Sequence, residues 1–325
     1  MKAVVIEEYG DPKVLRLKTV KKPEPGKNQV LIRVAAASVN FADIMTRKGE
    51  YHGTIGLPLI PGIDVAGVVE RVGAEVCGIK ENDMVMAFSA CGAYAEYALA
   101  DEIFTFPVPK GLDLDSAAAI PVVVFTSYNL LHTAGKLSKG ETVLIHGAAG
   151  GIGTTAIQIA RHAGARAIIG TVGSDEKIET AKQAGADIVV NYRKENFSKI
   201  TNEATGGKGA DVILDPSGGN IFNLSIDCLA MYGRIVNFNN ASGTGGTVNT
   251  KQLHASCRAV LGFSLGTTLR NRPEMIRQTA VNIIPMLETG KIRLWISGAY
   301  PIEEASKIHK LIESRKTVGK FLIKP

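Results

Sequence analysis

Two rhythms of apolar and polar positions divide the chain. Up to about residue 120 the apolar residues fall in short runs with proline and glycine between them, predicting strands at 2–6, 14–19, 29–36, 64–72, 84–87 and 94–98. One helical pattern, 40–47, interrupts this β-rich, partly barrel-like module, and another begins at 115–119 beyond Pro107, Pro109 and Gly111. From about Val122 apolar strands alternate with helical segments such as 174–183 and 221–229. The strands are expected at 142–146, 167–172, 188–191, 210–215, 233–238 and 258–263. Near-continuous apolar strands separated by helices predict an α/β fold with a doubly wound parallel sheet buried on both faces. The tail is mixed, with a helix at 302–314 and a last strand at 320–323. It is expected to fold back on the first module, giving a β-rich domain of 1–120 and 265–325 with an α/β domain, 121–264, inserted in it.

The densest signal follows the first α/β strand. Residues 143–145 are apolar, a glycine-rich turn comes next, and Ile157, Ile159, Ala160 and Ala163 recur at helical spacing. The turn reads Gly147-x-x-Gly150-x-x-Gly153, with a second register Gly151-x-Gly153-x-x-Ala156 around Ile152. Glycines let backbone approach a pyrophosphate, and a helix N-terminus supplies unpaired N–H groups and the positive end of its dipole. Any tight strand-to-helix turn also favours glycine; the flanking strand and helix make this one a dinucleotide site.

The formal net charge of +6 is scattered, apart from Lys18, Lys21, Lys22 and Lys27 beside a proline-rich turn. Without interleaved aromatics that cluster reads as a solvated edge, not a nucleic-acid footprint. Glu7 and Glu8 come too early for a signal peptide, and the longest apolar run, 117–125, is too short for a bilayer and contains Pro121. Cys77, Cys91, Cys228 and Cys257 lie far apart with no C-x-x-C, as expected of reduced thiols in a cytoplasmic protein.

The chain resembles, over its whole length, the medium-chain dehydrogenase/reductase superfamily, and within it the zinc-free quinone oxidoreductase (zeta-crystallin-like) branch. The resemblance rests on Ser38-Val-Asn40-Phe-Ala-Asp43, Gly49-Glu-Tyr51, Pro61-Gly-Ile-Asp64-Val-Ala-Gly67, the run from His146 to Gly153, Asn191-Tyr192-Arg193 and Glu313-Ser-Arg315. It implies a GroES-like catalytic domain, an inserted Rossmann domain that binds NADPH, a cleft between them, and a homodimer. In the zinc-dependent branch a cysteine stands at or beside Asn40 and a Gly-His-Glu run occupies what is here Gly62-Ile63-Asp64. No metal site is therefore expected, since catalytic zinc needs three converging protein ligands; His52 and Cys91 are the stray candidates.

The ribose discriminator belongs at the end of the second α/β strand, where NAD enzymes carry an acid. Here Gly173 and Ser174 stand there and Asp175 follows. Ser174, Lys177 and Tyr192 suit a 2′-phosphate, and relatives imply the same trio, so NADPH is expected over NADH. The resemblance further implies cofactor contacts for Thr126, for Phe238-Asn239-Asn240 and for Phe263-Ser264. Asn239 replaces a usual glycine, which leaves the geometry of its loop open.

Reducing a quinone or α,β-unsaturated carbonyl puts negative charge on an oxygen, so a nearby donor helps. Tyr51 resembles the family tyrosine near the nicotinamide and reads as a proton donor or as a pocket and cofactor contact. Asn40 reads as an orienting residue, Asp43 as a further polar candidate, and Asp64 as a structural residue of the Pro-Gly turn. The rival functions are an enoyl-thioester reductase and a non-catalytic NADPH- or RNA-binding protein on the same fold.

Overall fold

The computed structural model describes residues 1–51, 56–89 and 92–325. His52 and Cys91 lie outside the described residues. The chain divides into two compact units. One comprises Met1–Val123, Pro273–Glu288 and Leu294–Pro325, the other Val124–Arg272 and Thr289–Arg293.

In the first unit the spine is the strand Gln29–Ser38, which pairs antiparallel with Asp64–Val72 along its length. Its other edge takes Tyr97–Asp101 near its start and Lys320–Lys324 near its end. Ile296–Pro301 joins Lys320–Lys324 in parallel, and Met84–Phe88 and Thr105–Pro107 extend the far side. The tail joins because its apolar residues have no other home. Ile302, Ile308, Phe321 and Ile323 bury in one core with Val4, Val30, Ile32 and Val69, and each large side chain removed from water is worth about 1.5–3 kcal/mol.

The helix Phe41–Lys48 begins at Asn40, whose backbone N–H donates to the Asp43 carboxylate at 2.8 Å. It stops at Gly49, where φ is +74° and the N–H turns back to Met45 and Thr46. A Cβ at Gly49 would lie 2.9 Å from the Tyr9 ring, so only glycine ends the helix here.

In the second unit, strand order along the parallel sheet is Ile188–Asn191, Ala167–Val172, Thr142–His146, Ala210–Asp215, Leu229–Asn237, Ala259–Gly262. Numbered along the chain this is 3-2-1-4-5-6, a doubly wound sheet whose order reverses between Thr142–His146 and Ala210–Asp215. The strands' leucines, isoleucines and valines pack into one core with Phe197, Phe222 and Ile226.

Some elements depart from the sequence expectation. The strand placed at 94–98 is Tyr97–Asp101, because Tyr94 and Ala95 instead bond to the first strand through the Tyr94 carbonyl and an Ala3–Ala95 bridge. The strand placed at 14–19 is Arg16–Thr19, since Asp11 caps a 3₁₀ turn at Pro12–Val14. The strand placed at 233–238 starts earlier, at Leu229, and the helix before it ends at Ile226. The helix placed at 174–183 opens with a 3₁₀ turn, Asp175–Lys177. No helix among the described residues is long and apolar enough to cross a membrane.

Candidate functional site

The glycine turn leaves the carboxyl end of Thr142–His146 at the sheet's reversal point and enters the helix Gly151–His162. Gly147 has φ +66°, Gly150 is the N-cap, and the Ala148 N–H is tied to the Thr171 carbonyl at 3.0 Å. A Cβ at Gly153 would lie 2.3 Å from the Gly147 carbonyl oxygen and 2.7 Å from Ala148 backbone. Gly153 therefore lets the turn close upon its own helix, and the amides of Gly151, Ile152 and Gly153, the first of that helix, have no carbonyl one turn earlier within it. Such a cradle of N–H groups fits a pyrophosphate. Ser127, which sequence reasoning passed over, braces the turn by donating to the Ile152 carbonyl at 3.0 Å. Thr126 precedes it, buried on the helix Pro121–Tyr128.

His146, just before the turn, is a core residue. Its ring nitrogens meet Thr171 Oγ1 and Ser225 Oγ, each at 2.8 Å, and burial lowers its pKa to about 4.

At the next strand end, Gly173 leaves room for Tyr192: a Cβ there would lie 3.1 Å from the Tyr192 hydroxyl. Ser174 precedes the 3₁₀ turn that carries Lys177. Asp175, the acid that follows, is exposed and bonded, with Oδ1 accepting from Asn191 Nδ2 at 2.6 Å and Oδ2 from Lys194 Nζ at 2.5 Å. The Lys177 amine is held below the usual lysine range by burial and then by the Arg193 guanidinium. Lys177, Arg193 and Tyr192 are residue types that suit a 2′-phosphate. Arg193 is a residue the sequence reading quoted in a motif but gave no role; its neighbour Tyr192 was the available signal.

Phe238-Asn239-Asn240 leaves the fifth strand. The Phe238 N–H donates to the Asp215 carbonyl at 3.0 Å, and Asn239 Oδ1 accepts the Asn240 N–H at 2.8 Å. Asn239 is not among the residues of positive φ, so the loop does not need the glycine seen in relatives. The Phe263 N–H donates to the Asn237 carbonyl at 3.0 Å, and Ser264 caps the helix Leu265–Asn271 by accepting the Thr267 N–H at 3.2 Å.

In the first unit Asn40 joins a buried polar cluster. Its Nδ2 donates to Asp64 Oδ2 at 2.9 Å and its Oδ1 accepts Lys320 Nζ at 2.5 Å. Asp64 also accepts the Ser38 hydroxyl at 2.6 Å and the Val122 N–H at 2.9 Å, with Lys320 Nζ 3.6 Å away. Asp43 accepts the Tyr94 hydroxyl at 3.2 Å, which meets His309 Nε2 at 3.2 Å. Burial pushes Asp43 up to about 7, raises Asp64 and lowers Lys320. Tyr51 is half-buried, two residues past Gly49, so it and Asn40 flank opposite ends of a helix about 12 Å long. The described residues contain no group of three or more His, Cys, Asp or Glu side chains placed to hold a metal ion.

Residues 26–110 match the alcohol dehydrogenase GroES-like domain, and residues 151–283 match the zinc-binding dehydrogenase family. A quinone oxidoreductase of Pseudomonas aeruginosa is 36% identical over 330 residues, spanning 100% of this chain and 99% of its own. The structure of Escherichia coli quinone oxidoreductase complexed with NADPH superposes with a TM-score of 0.93 at 32% identity, covering 100% of both chains. A mycobacterial protein complexed with NADPH gives 0.93 at 34% identity with the same coverage.

Proposed function

The chain belongs to the medium-chain dehydrogenase/reductase superfamily, in its quinone oxidoreductase, zeta-crystallin-like branch, and on that basis we propose that it is an NADPH-dependent reductase of quinones or α,β-unsaturated carbonyls. The observation that carries the reading is the strand end Gly173-Ser174, where no acid stands, with the Tyr192 hydroxyl against Gly173 and Lys177 on the turn that follows. A site for NADH would keep a carboxylate available for the ribose.

When bound, NADPH supplies the hydride. The amides of Gly151, Ile152 and Gly153 hold its pyrophosphate, with Gly147 and Gly150 shaping the turn. Gly173, Ser174, Lys177, Tyr192 and Arg193 hold the 2′-phosphate. Thr126, Phe238, Asn239, Asn240, Phe263 and Ser264 serve the nicotinamide side. In the catalytic domain Tyr51 donates a proton toward the acceptor oxygen. Asn40, gripped by Asp64 and Lys320, orients and transfers no proton. Ile63 stands where the zinc-dependent branch has its histidine, which supports chemistry without zinc.

The test is a panel of 1,4-naphthoquinone, 9,10-phenanthrenequinone, a simple enone and a crotonyl thioester, followed by NADPH absorbance with and without chelator. Oxidation by quinones or enones that survives the chelator is expected. Turnover of the thioester alone would move the assignment to enoyl-thioester reduction, and loss of activity with chelator would overturn metal-free chemistry. Tyr51→Phe should lower enone kcat by about 100-fold, the lower range for a lost general acid, with NADPH affinity unchanged.

A homodimer is part of the same proposal. Ala259–Gly262 closes the parallel sheet with an outer edge that pairs with nothing among the described residues, and such edges invite a second chain. Light scattering should give twice the 34.5 kDa chain mass; a monomer at micromolar concentration would sink it. The free thiols of Cys77, Cys228 and Cys257 support a cytoplasmic setting, which cell fractionation checks.

A further inference from the structure

Asp215 ends the strand Ala210–Asp215 with no exposure to solvent. Its Oδ1 accepts the N–H groups of Ser217 at 2.8 Å and Gly218 at 3.2 Å. Its Oδ2 accepts the Gly218 N–H at 3.1 Å and Asn237 Nδ2 at 3.0 Å. Asn237 Nδ2 also donates to the Asn239 carbonyl at 2.9 Å. Backbone bonds run beside these, from the Ala241 N–H to the Pro216 carbonyl and from Ser242 to Ser217, both at 3.0 Å. One buried carboxylate thus shapes the turn after its own strand and, through one amide, the loop after the next.

A separate observation concerns the space between those loops. Gly218 and Gly219 have φ of +68° and +52°. A Cβ on Gly218 would lie 2.5 Å from Asn240 Oδ1 and 2.6 Å from the Thr244 carbonyl oxygen, and one on Gly219 would lie 2.7 Å from Thr244 Oγ1. The loop lies directly upon a diglycine seat that admits no methyl group.

We infer that Asp215, acting through Asn237, is a positioning residue that sets Phe238-Asn239-Asn240 for the nicotinamide end of the cofactor, with Gly218 and Gly219 as its seat. This rests on the reading of 238–240 as a nicotinamide-side loop. Gly173, Ser174, Lys177 and Tyr192, which take the adenine-ribose phosphate, share none of these bonds. On this reading, changes at Asp215 or Asn237 loosen the nicotinamide end and leave the adenine end bound.

The experiment uses the full chain with Asp215→Asn and Asn237→Ala. In the first, the new amide faces Asn237 Nδ2 donor to donor; in the second the strut is gone while Asp215 keeps its backbone partners. Calorimetry gives Kd for NADPH and for adenosine 2′,5′-bisphosphate, which engages the adenine end alone, and kcat is read with 9,10-phenanthrenequinone. Misplacement by about 1 Å costs up to about 100-fold in rate. A fall in kcat of about 10- to 100-fold is expected, with weaker NADPH and unchanged bisphosphate binding. A merely structural role weakens both ligands together, and that result overturns the inference, as does full activity in both variants. Should Asp215→Asn not fold, Asn237→Ala and Gly218→Ala carry the same test, with the same ligand split expected. Wild-type protein that binds the bisphosphate but not NADPH removes the nicotinamide-loop premise itself, and one that binds neither removes the functional assignment beneath it.

Discussion

Lys177→Ala should raise the KM for NADPH by about 10- to 100-fold while leaving the KM for NADH nearly unchanged, the loss expected for one charge-assisted hydrogen bond of about 1.5–3 kcal/mol. Lys177 pays for its position in the free protein: burial and the Arg193 guanidinium both disfavour its charged form. A 2′-phosphate reverses that balance, because its charge of nearly −2 compensates two cations at once, and NADH offers a neutral hydroxyl in its place. Arg193→Ala should act in the same direction but less, since Arg193 is exposed and its charge is screened by water. Neither change should lower the thermal stability of the unliganded protein, because each removes one of two like charges. Equal shifts in KM for the two cofactors would take Lys177 out of the phosphate site.

Arg47→Ala should destabilise the β-rich unit by about 3–5 kcal/mol, the cost of breaking a buried ion pair from one side. Arg47 is wholly buried, and its guanidinium forks onto Glu313 at 2.9 and 3.1 Å while its Nε donates to the Gly10 carbonyl at 3.1 Å. Lys48 reaches the same carboxylate at 2.8 Å. Arg47→Lys should recover only part of the loss, because an ammonium cannot make the two parallel bonds. The readout is fluorescence of Trp295, the chain's single tryptophan and a member of this unit, during guanidinium unfolding. Burial works against ionised Glu313, yet the bonds from Arg47 and Lys48 hold its pKa at about 2 instead of 4.5. Its contribution is full above the unfolded value and is lost as pH falls toward the folded one. The wild type should therefore lose its advantage over Glu313→Gln between about pH 4.5 and 2, and a gap constant across that range would exclude the carboxylate as its source.

How much of this was legible in advance varies by element. The strands at Thr142–His146, Ala167–Val172, Ile188–Asn191 and Ala210–Asp215 coincide with their expected limits, because burial on both faces leaves an unbroken apolar run in the chain itself. Tyr97–Asp101 was displaced by three residues because 94–100, Tyr-Ala-Glu-Tyr-Ala-Leu-Ala, offers two overlapping strand-like runs, and the choice of partner decides which of them pairs. Arg193 escaped because an exposed basic residue after a strand looks like any solvated position until a second cation is placed beside it.

Chain order alone therefore determined the doubly wound sheet and the glycine turn, since periodicity and backbone freedom are properties of neighbouring residues. Tertiary structure alone decided that Lys320 would serve Asn40 across 280 positions and that Glu313 would anchor Arg47. Those pairings depend on which distant segments share a desolvated space, where a charge must find its partner or be neutralised, and no local spacing encodes that choice.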